Sequence, residues 1–142
     1  MKNNDRLALR QLTMLMNANF HPGDWHITLT YQDIPPCQSE AKREIKNFKD
    51  RMGREYAKRN ITFRWIEVTE YKNHRIYHHM VLTYIEPEVI ERQWKRGHVR
   101  FTALDRTRNY RKLAEYFIKE TSQTMREPGN ETKKRWSASR NL

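Results

Sequence analysis

Two strand-like segments joined by a short polar turn constrain the fold of this chain more than any other feature. Residues 62–71 (TFRWIEVTEY) and 76–84 (IYHHMVLTY) are rich in β-branched and aromatic side chains, and four polar residues at 72–75 (KNHR) separate them. This pattern predicts a β-hairpin. If the turn covers those four residues, Glu70 lies opposite Tyr77.

Side chains alternate along a strand, so one face of this hairpin carries three residues from each strand: Ile66, Val68 and Glu70 from the first, and Tyr77, His79 and Val81 from the second. Glu70, Tyr77 and His79 therefore cluster at the turn end of an otherwise apolar face. A carboxylate beside an imidazole suits a divalent cation such as Mg²⁺ or Mn²⁺. A Glu–His hydrogen bond that satisfies two half-buried polar groups explains the same pair.

The rest of the chain supplies helices and two more strands. Hydrophobic periodicity and helix-breaking residues predict helices over residues 6–19, 39–59, 87–96 and 107–121, and strands over residues 25–31 and 98–104. Strands joined by a hairpin and by crossover helices indicate an α+β fold, an antiparallel sheet with helices packed on one face. We expect one domain over residues 1–126. The polar, basic composition of residues 127–142 predicts a C-terminal tail or the start of a further region.

The charge balance indicates a polyanionic partner. The chain has 28 Lys and Arg residues against 17 Asp and Glu residues, a formal net charge of +11. Each basic side chain set against a phosphate releases counterions, so this excess favours nucleic acid, although an inert basic surface has the same composition. The preferred DNA-binding candidates lie just before or within the last predicted helix: Arg100, Arg106, Arg108, Arg111 and Lys112.

The cysteine count and the hydropathy pattern bear on location. Cys37 has no second cysteine with which to form an intrachain disulfide or a thiolate zinc site, which fits a reducing compartment. No uninterrupted apolar run reaches the length of a signal peptide or a membrane span. We therefore expect a cytoplasmic protein with no membrane partner.

The last predicted helix carries a tyrosine and a lysine one turn apart. Tyr116 and Lys119 share a helix face, with about 5–6 Å between their Cβ atoms. A nearby ammonium group stabilises a phenolate or a phosphate oxygen, and a tyrosine with a pKa of about 10 needs such help to act as a nucleophile. A surface tyrosine packed along a lysine stem has the same spacing. Tyr110 falls on the apolar face of this helix and is interpreted as a core residue.

Five segments occur in a characteristic order along the chain: HITLTY at 26–31, VTEY at 68–71, RIYHHMVL at 75–82, LAEYFIKE at 113–120 and KRWSASRNL at 134–142. Together they resemble the rolling-circle replication initiators of phages and plasmids, a branch of the HUH endonuclease superfamily. The resemblance extends from about residue 18 to residue 142 and rests on the ordered set rather than on a single motif. It implies an RRM-like or ferredoxin-like antiparallel sheet with helices packed on it.

The resemblance also implies roles for individual residues. The first motif is a central strand beneath the active site. The second is a His-hydrophobic-His strand that supplies two metal ligands, here positions 77 and 79, and Glu70 on the neighbouring strand matches a third. The implied cofactor is a divalent metal, Mg²⁺ or Mn²⁺. The third motif supplies the nucleophile, matched by Tyr116, and a lysine one turn on, matched by Lys119.

The implied activity is the nicking and rejoining of single-stranded DNA at a replication origin through a 5′-phosphotyrosine intermediate. Host replication proteins such as a helicase are implied as further partners. Two alternatives stay open. One is a nucleic-acid-binding module that keeps the fold but does not cleave, and the other is the transposase or relaxase branch of the same chemistry, which differs in its partners.

One position departs from the family pattern. Tyr77 stands where the first histidine is expected, and a neutral phenol is a much poorer metal ligand than an imidazole. Three outcomes follow. Glu70, His79 and water hold the metal weakly; or His78 or His74 replaces the missing ligand through a register shift or a bulge; or metal-dependent cleavage is lost.

Overall fold

The computed structural model describes residues 1–35, 37–130 and 134–142. Within these residues the chain forms four helices, α1 (Asn3–Asn19), α2 (Gln38–Lys58), α3 (Pro87–Gln93) and α4 (Arg111–Arg126). It also forms five strands, β1 (Trp25–Tyr31), β2 (Trp65–Lys72), β3 (Arg75–Leu82), β4 (Gly97–Ala103) and β5 (Ser137–Ala138). The α+β fold class is confirmed, because the strands make one antiparallel sheet with helices packed on it. None of these helices is long and apolar enough to cross a membrane.

The sheet has the strand order β4-β1-β3-β2-β5, so β1, β3 and β2 lie inside it. The β2–β3 hairpin has the predicted register, with Glu70 opposite Tyr77. Its two turn residues, Asn73 and His74, have φ values of 52° and 63°. Positive φ at both positions is typical of the two-residue turns whose twist matches that of a hairpin. The turn therefore fixes the register on which the predicted site depends.

Helices cover both faces of the sheet, and the expectation that they share one face is wrong. α1 and α4 pack on the face that carries Ile66 and Val81. α2 and α3 pack on the opposite face, over Ile27, Leu29 and Met80. The physical reason is that β3 ends in a continuous apolar run that is buried on both sides and needs cover on both sides. The face under α1 and α4 also carries His79, and we call it the site face.

The start of α4 differs from the prediction. The helix begins at Arg111 rather than near Thr107, because the Thr107 hydroxyl donates to the Asp105 carboxylate in a tight turn and Arg108 has a φ of 59°. Left-handed backbone at Arg108 cannot continue a right-handed helix. Tyr110 precedes the helix instead of lying within it. It is nevertheless buried in the core, as predicted.

The end of the chain joins the sheet, and the expectation of a tail is corrected for residues 134–142. β5 pairs with β2, with Ala138 opposite Ile66, and Trp136 packs against the core of the site face. The Arg135 guanidinium donates to a carboxylate oxygen of Asp5 on α1 at 2.6 Å. Residues 131–133 of the expected tail lie outside the described residues. The polar composition concealed this packing, because few side chains hold the segment.

Candidate active site

Cross-strand register brings the candidate residues together on the site face. His79 on β3 lies opposite Thr28 on β1, and Thr28 lies opposite Arg100 on β4. The neighbouring row pairs Tyr77 with Glu70 on β2. Adjacent strands are about 4.8 Å apart, so Arg100 starts about 10 Å from His79 on the same row. An extended arginine side chain covers much of that distance.

His79 is buried and has a partner on each ring nitrogen. Its Nε2 lies 3.1 Å from Oε2 of Glu70. Its Nδ1 lies 3.2 Å from Nε2 of His26 and 3.3 Å from Oγ1 of Thr28. These contacts come from β2 and β1, on either side of β3, and together they fix the plane of the imidazole ring.

His26 is a member of this cluster that the sequence did not reveal. Its ring packs edge-on against Phe117 of α4, with 5.4 Å between ring centroids. Burial, helped by the nearby charge of His79, lowers the pKa of His26 to about 4. At neutral pH the ring is therefore uncharged and carries one N–H and one free nitrogen lone pair. It can share a single proton with Nδ1 of His79.

Glu70 and Glu120 form an acidic pair beside His79. The two carboxyl groups hydrogen-bond each other. Burial opposes the charge of Glu70, but hydrogen bonds with His79 and Glu120 outweigh burial and hold the pKa of Glu70 below its ordinary value. Burial, and then the hydrogen bond and charge of Glu70, raise the pKa of Glu120. The pair therefore keeps its negative charge on Glu70 and holds a proton most readily on Glu120.

Tyr116 on α4 faces this cluster and stays open to solvent. Its side chain is 38% exposed. Its ring lies edge-on to His79, with centroids 5.5 Å apart and planes at 81°. Burial, and then the charges of Glu70 and Glu120, raise the pKa of the phenol, while the charge of Arg100 opposes them. The arrangement places a phenol at the mouth of the cluster, where a phosphate from solvent can reach it.

The two cations near Tyr116 have different positions. Lys119 is exposed one turn further along α4, and its charge acts on Glu120. Arg100 reaches the site from β4, and its charge favours the phenolate form of Tyr116. Arg100 makes no ion pair or hydrogen bond within the described residues. It therefore has free donors for a phosphate, and the sequence had placed it only among the general DNA-binding candidates.

His78 does not replace the missing histidine, so the register-shift alternative is wrong. It lies on the opposite face from His79, fully buried, with Nε2 2.7 Å from the Tyr31 hydroxyl and Nδ1 2.8 Å from the Thr69 hydroxyl. Burial lowers its pKa to about 3, so the ring is neutral. His74 lies in the hairpin turn, where its Nδ1 is 3.2 Å from the Tyr71 hydroxyl. Neither ring reaches the site.

The remaining DNA-binding candidates lie at the other end of the sheet from the hairpin turn. Arg106 and Arg108 lie in the loop after β4, and Arg111 and Lys112 begin α4; all four are exposed. Arg111 forms a surface ion pair with Glu115 at 2.9 Å. Such pairs contribute little to stability, so Arg111 can exchange its partner for a phosphate. Their DNA-binding role stays a prediction.

The donors around His79 suit a weakly held divalent cation. Neighbouring ligands on an octahedral cation with bonds of about 2.1 Å are about 3 Å apart, which is close to the 3.1 Å between His79 Nε2 and Glu70 Oε2. In the part of the chain that the structure describes, no three His, Cys, Asp or Glu side chains are arranged as a metal-binding group. Mg²⁺ commonly keeps several waters and is bound by one or two protein carboxylates and substrate phosphate. Two protein donors are therefore consistent with such an ion.

Comparison with known families identifies the chain. Residues 24–125 match the family model of the replication-associated protein ORF2. The chain belongs to this family. The matched segment of this replication-associated protein begins just before β1 and ends near the end of α4, so it contains Glu70, His79, Arg100 and Tyr116. No curated protein and no solved structure matches the chain significantly.

Proposed function

We propose that this protein nicks and rejoins single-stranded DNA at a replication origin, with Tyr116 as the nucleophile. The observation that carries the proposal is the convergence of Tyr116, His79 and Glu70 from three different elements at one partly exposed point. Membership of a replication-associated family and the charge of +11 support a DNA substrate. The uncovered part of the site face gives a single strand access to the phenol.

The reaction is a transesterification in which Tyr116 replaces a nucleotide oxygen on phosphorus. The phenol oxygen attacks the scissile phosphate, a new O–P bond forms, and the bond between phosphorus and the 3′-oxygen breaks. The phenol loses one proton and the departing 3′-oxygen gains one, so protons balance. The products are a 5′-phosphotyrosine and a free 3′-hydroxyl. Attack by a 3′-hydroxyl on the phosphotyrosine reverses the reaction and rejoins the strand.

The residues around Tyr116 divide the remaining work. His79 and Glu70 would hold a divalent cation, which supplies charge to polarise a non-bridging phosphate oxygen. Arg100 offers a bidentate guanidinium to the phosphate from the open side of the site. Lys119 adds positive charge one turn along α4. Glu120 keeps Glu70 in place through their shared hydrogen bond.

A covalent trap tests the proposal. The protein is incubated with a pool of single-stranded oligonucleotides and Mn²⁺, and the products are separated on a denaturing gel. A protease-sensitive DNA adduct is expected with the unaltered protein and with Tyr84→Phe, which changes an exposed tyrosine outside the site. Tyr116→Phe must lose the adduct. Binding without an adduct, across a series of divalent metals, contradicts the nicking activity.

A second function is favoured by one observation. Tyr77 occupies the position of an expected metal ligand, and within the described residues no three-donor group replaces it. A nucleic-acid-binding module that does not cleave would tolerate this loss. The covalent trap separates the two functions, because the binding module would retain oligonucleotides without forming an adduct.

A further inference from the structure

The site face is only half covered by helices. α4 lies over β2, while the half of the face formed by β1 and β4 is open. On β4, the three side chains that point to this face, those of His98, Arg100 and Thr102, are all exposed. Thr28 and Thr30 on β1 are partly exposed. We call the surface formed by His98, Arg100, Thr28, Thr30 and Tyr77 the open platform.

Tyr77 is the aromatic residue of the open platform, and its ring has no partner there. It is partly exposed and lies between Thr30 on β1 and Glu70 on β2. Within the described residues it makes no hydrogen bond and no ring contact. The other six tyrosines all have such a partner: Tyr31, Tyr56, Tyr71 and Tyr110 through their hydroxyl groups, and Tyr84 and Tyr116 through their rings.

We propose that Tyr77 stacks on a base of the bound single strand, next to the phosphate that Tyr116 attacks, and is not a metal ligand. The inference rests on the proposed function for the identity of the strand. An exposed aromatic ring on an antiparallel sheet is a general way to hold an unpaired base, because every base has a stacking face. The ring of Tyr77 is available for this contact, since nothing else in the described chain uses it.

The spacing along β3 connects the stacked base to the chemistry. Tyr77 and His79 are two residues apart on one face of the strand, which places them about 6.8 Å apart. A base on Tyr77 therefore leaves its adjoining phosphate beside His79 and Tyr116. Arg100 lies on the same cross-strand row as His79 and approaches that phosphate from the opposite side. One nucleotide then spans the distance from the stacking ring to the nucleophile.

Binding measurements with three variants test this role. Affinity for fluorescein-labelled oligo(dT) is measured by anisotropy in EDTA, in the Tyr116→Phe background so that no adduct forms. Tyr77→Phe keeps the ring and is expected to bind within about twofold of the parent. Tyr77→Ala is expected to weaken binding by about 5- to 150-fold. Tyr84→Ala removes a more exposed tyrosine outside the platform and is expected to bind as the parent does.

Metal binding supplies an independent readout. Mn²⁺ affinity, measured by electron paramagnetic resonance without DNA, is expected to be the same in Tyr77→Phe and the parent, because only the hydroxyl could be a ligand. A clear loss of Mn²⁺ affinity in Tyr77→Phe overturns the assignment. Equal oligo(dT) affinity in Tyr77→Ala and the parent also overturns it, as does a Phe variant as weak as the Ala variant. Circular dichroism checks that each variant is folded.

The outcome separates this inference from the proposed function. If Tyr77→Ala weakens oligo(dT) binding but the unaltered protein forms no adduct with any DNA, stacking stands and nicking fails. If the adduct forms and Tyr77→Ala binds normally, nicking stands and stacking fails. If the parent does not bind oligo(dT), the stacking inference is overturned whatever the adduct assay shows.

Discussion

Gly97 is expected to be essential for the position of β4, and the same substitution at Gly53 provides a matched control. A Cβ atom at Gly97 would lie 2.0 Å from the carbonyl oxygen of Thr30 and 2.7 Å from the amide nitrogen of Gln32. Both atoms belong to the backbone of the neighbouring strand, so a rotamer change cannot relieve the contact. In Gly97→Ala the start of β4 must move by about 1 Å or more to restore an ordinary separation, taken as the difference between 3.0 Å and 2.0 Å.

The expected cost follows from that displacement. Forcing atoms into a packed region costs about 1–3 kcal/mol. The shift also strains the hydrogen bond from the Gln32 amide to the Arg96 carbonyl, 2.8 Å long, which contributes about 0.5–1.5 kcal/mol. We therefore expect Gly97→Ala to lower the free energy of unfolding by about 2–4 kcal/mol. At about 3–4 °C per kcal/mol for a domain of this size, Tm falls by about 6–16 °C.

Gly53 lies in the middle of α2, where a Cβ atom meets only the Phe63 ring at 3.9 Å. That is an ordinary van der Waals contact. Alanine reduces the entropy of the unfolded chain and has the higher helix propensity, so Gly53→Ala is expected to stabilise the protein by about 0.5–1 kcal/mol. Thermal and urea unfolding followed by circular dichroism measure both variants. Effects of the same sign, or a stable Gly97→Ala protein, would refute the steric argument.

Three further predictions concern the site and the ion pair that joins the chain ends. Arg100→Gln is expected to weaken binding to all single-stranded sequences alike and to reduce the salt slope of binding by about one unit, whereas glutamine in place of an α2 arginine on the opposite layer leaves the slope nearly unchanged. His26→Phe removes a partner of His79 Nδ1 and is expected to weaken Mn²⁺ binding by about 10- to 100-fold, measured by paramagnetic resonance; unchanged affinity would show that Thr28 alone orients the ring. A hydrogen bond from Arg135 lowers the pKa of Asp5. The stability that this pair contributes is therefore complete above about pH 4, the ordinary aspartate value, and is lost as pH falls through the lowered pKa, so the difference in urea midpoint between the unaltered protein and Asp5→Asn should shrink in acid.

Local sequence signals were sufficient to predict the hairpin and half of the site. The turn residues and the alternation along β2 and β3 set a register in which Glu70 faces Tyr77, with His79 on the same face, and the structure has that register. Tyr116 on the last helix was also a local feature. These predictions succeeded because a two-residue turn fixes the pairing of the strands on either side of it.

The other half of the site depends on contacts that are distant in sequence. The position of β1 between β3 and β4 places His26 beside His79 and Arg100 two strands from it, and nothing within β1 or β4 encodes that order. Glu120 follows Tyr116 by four residues, so its position on the same helix face was readable. Its hydrogen bond with Glu70 was not, because it requires the packing of α4 on β2.

The layout of the site face separates DNA binding from cleavage. Side chains suited to hold a strand, Tyr77 and Arg100, lie towards the open platform, whereas His79 and Glu70 are buried beside α4, and Tyr116 stands at the boundary. Substitutions on the platform should therefore reduce binding and cleavage together. Conservative changes at Tyr116 should abolish cleavage and leave binding intact, because the phenol oxygen holds neither the base nor the guanidinium. A protein that only binds nucleic acid has no need for a second class of this kind, so finding both classes of variant in one protein would favour the nicking function over the binding module.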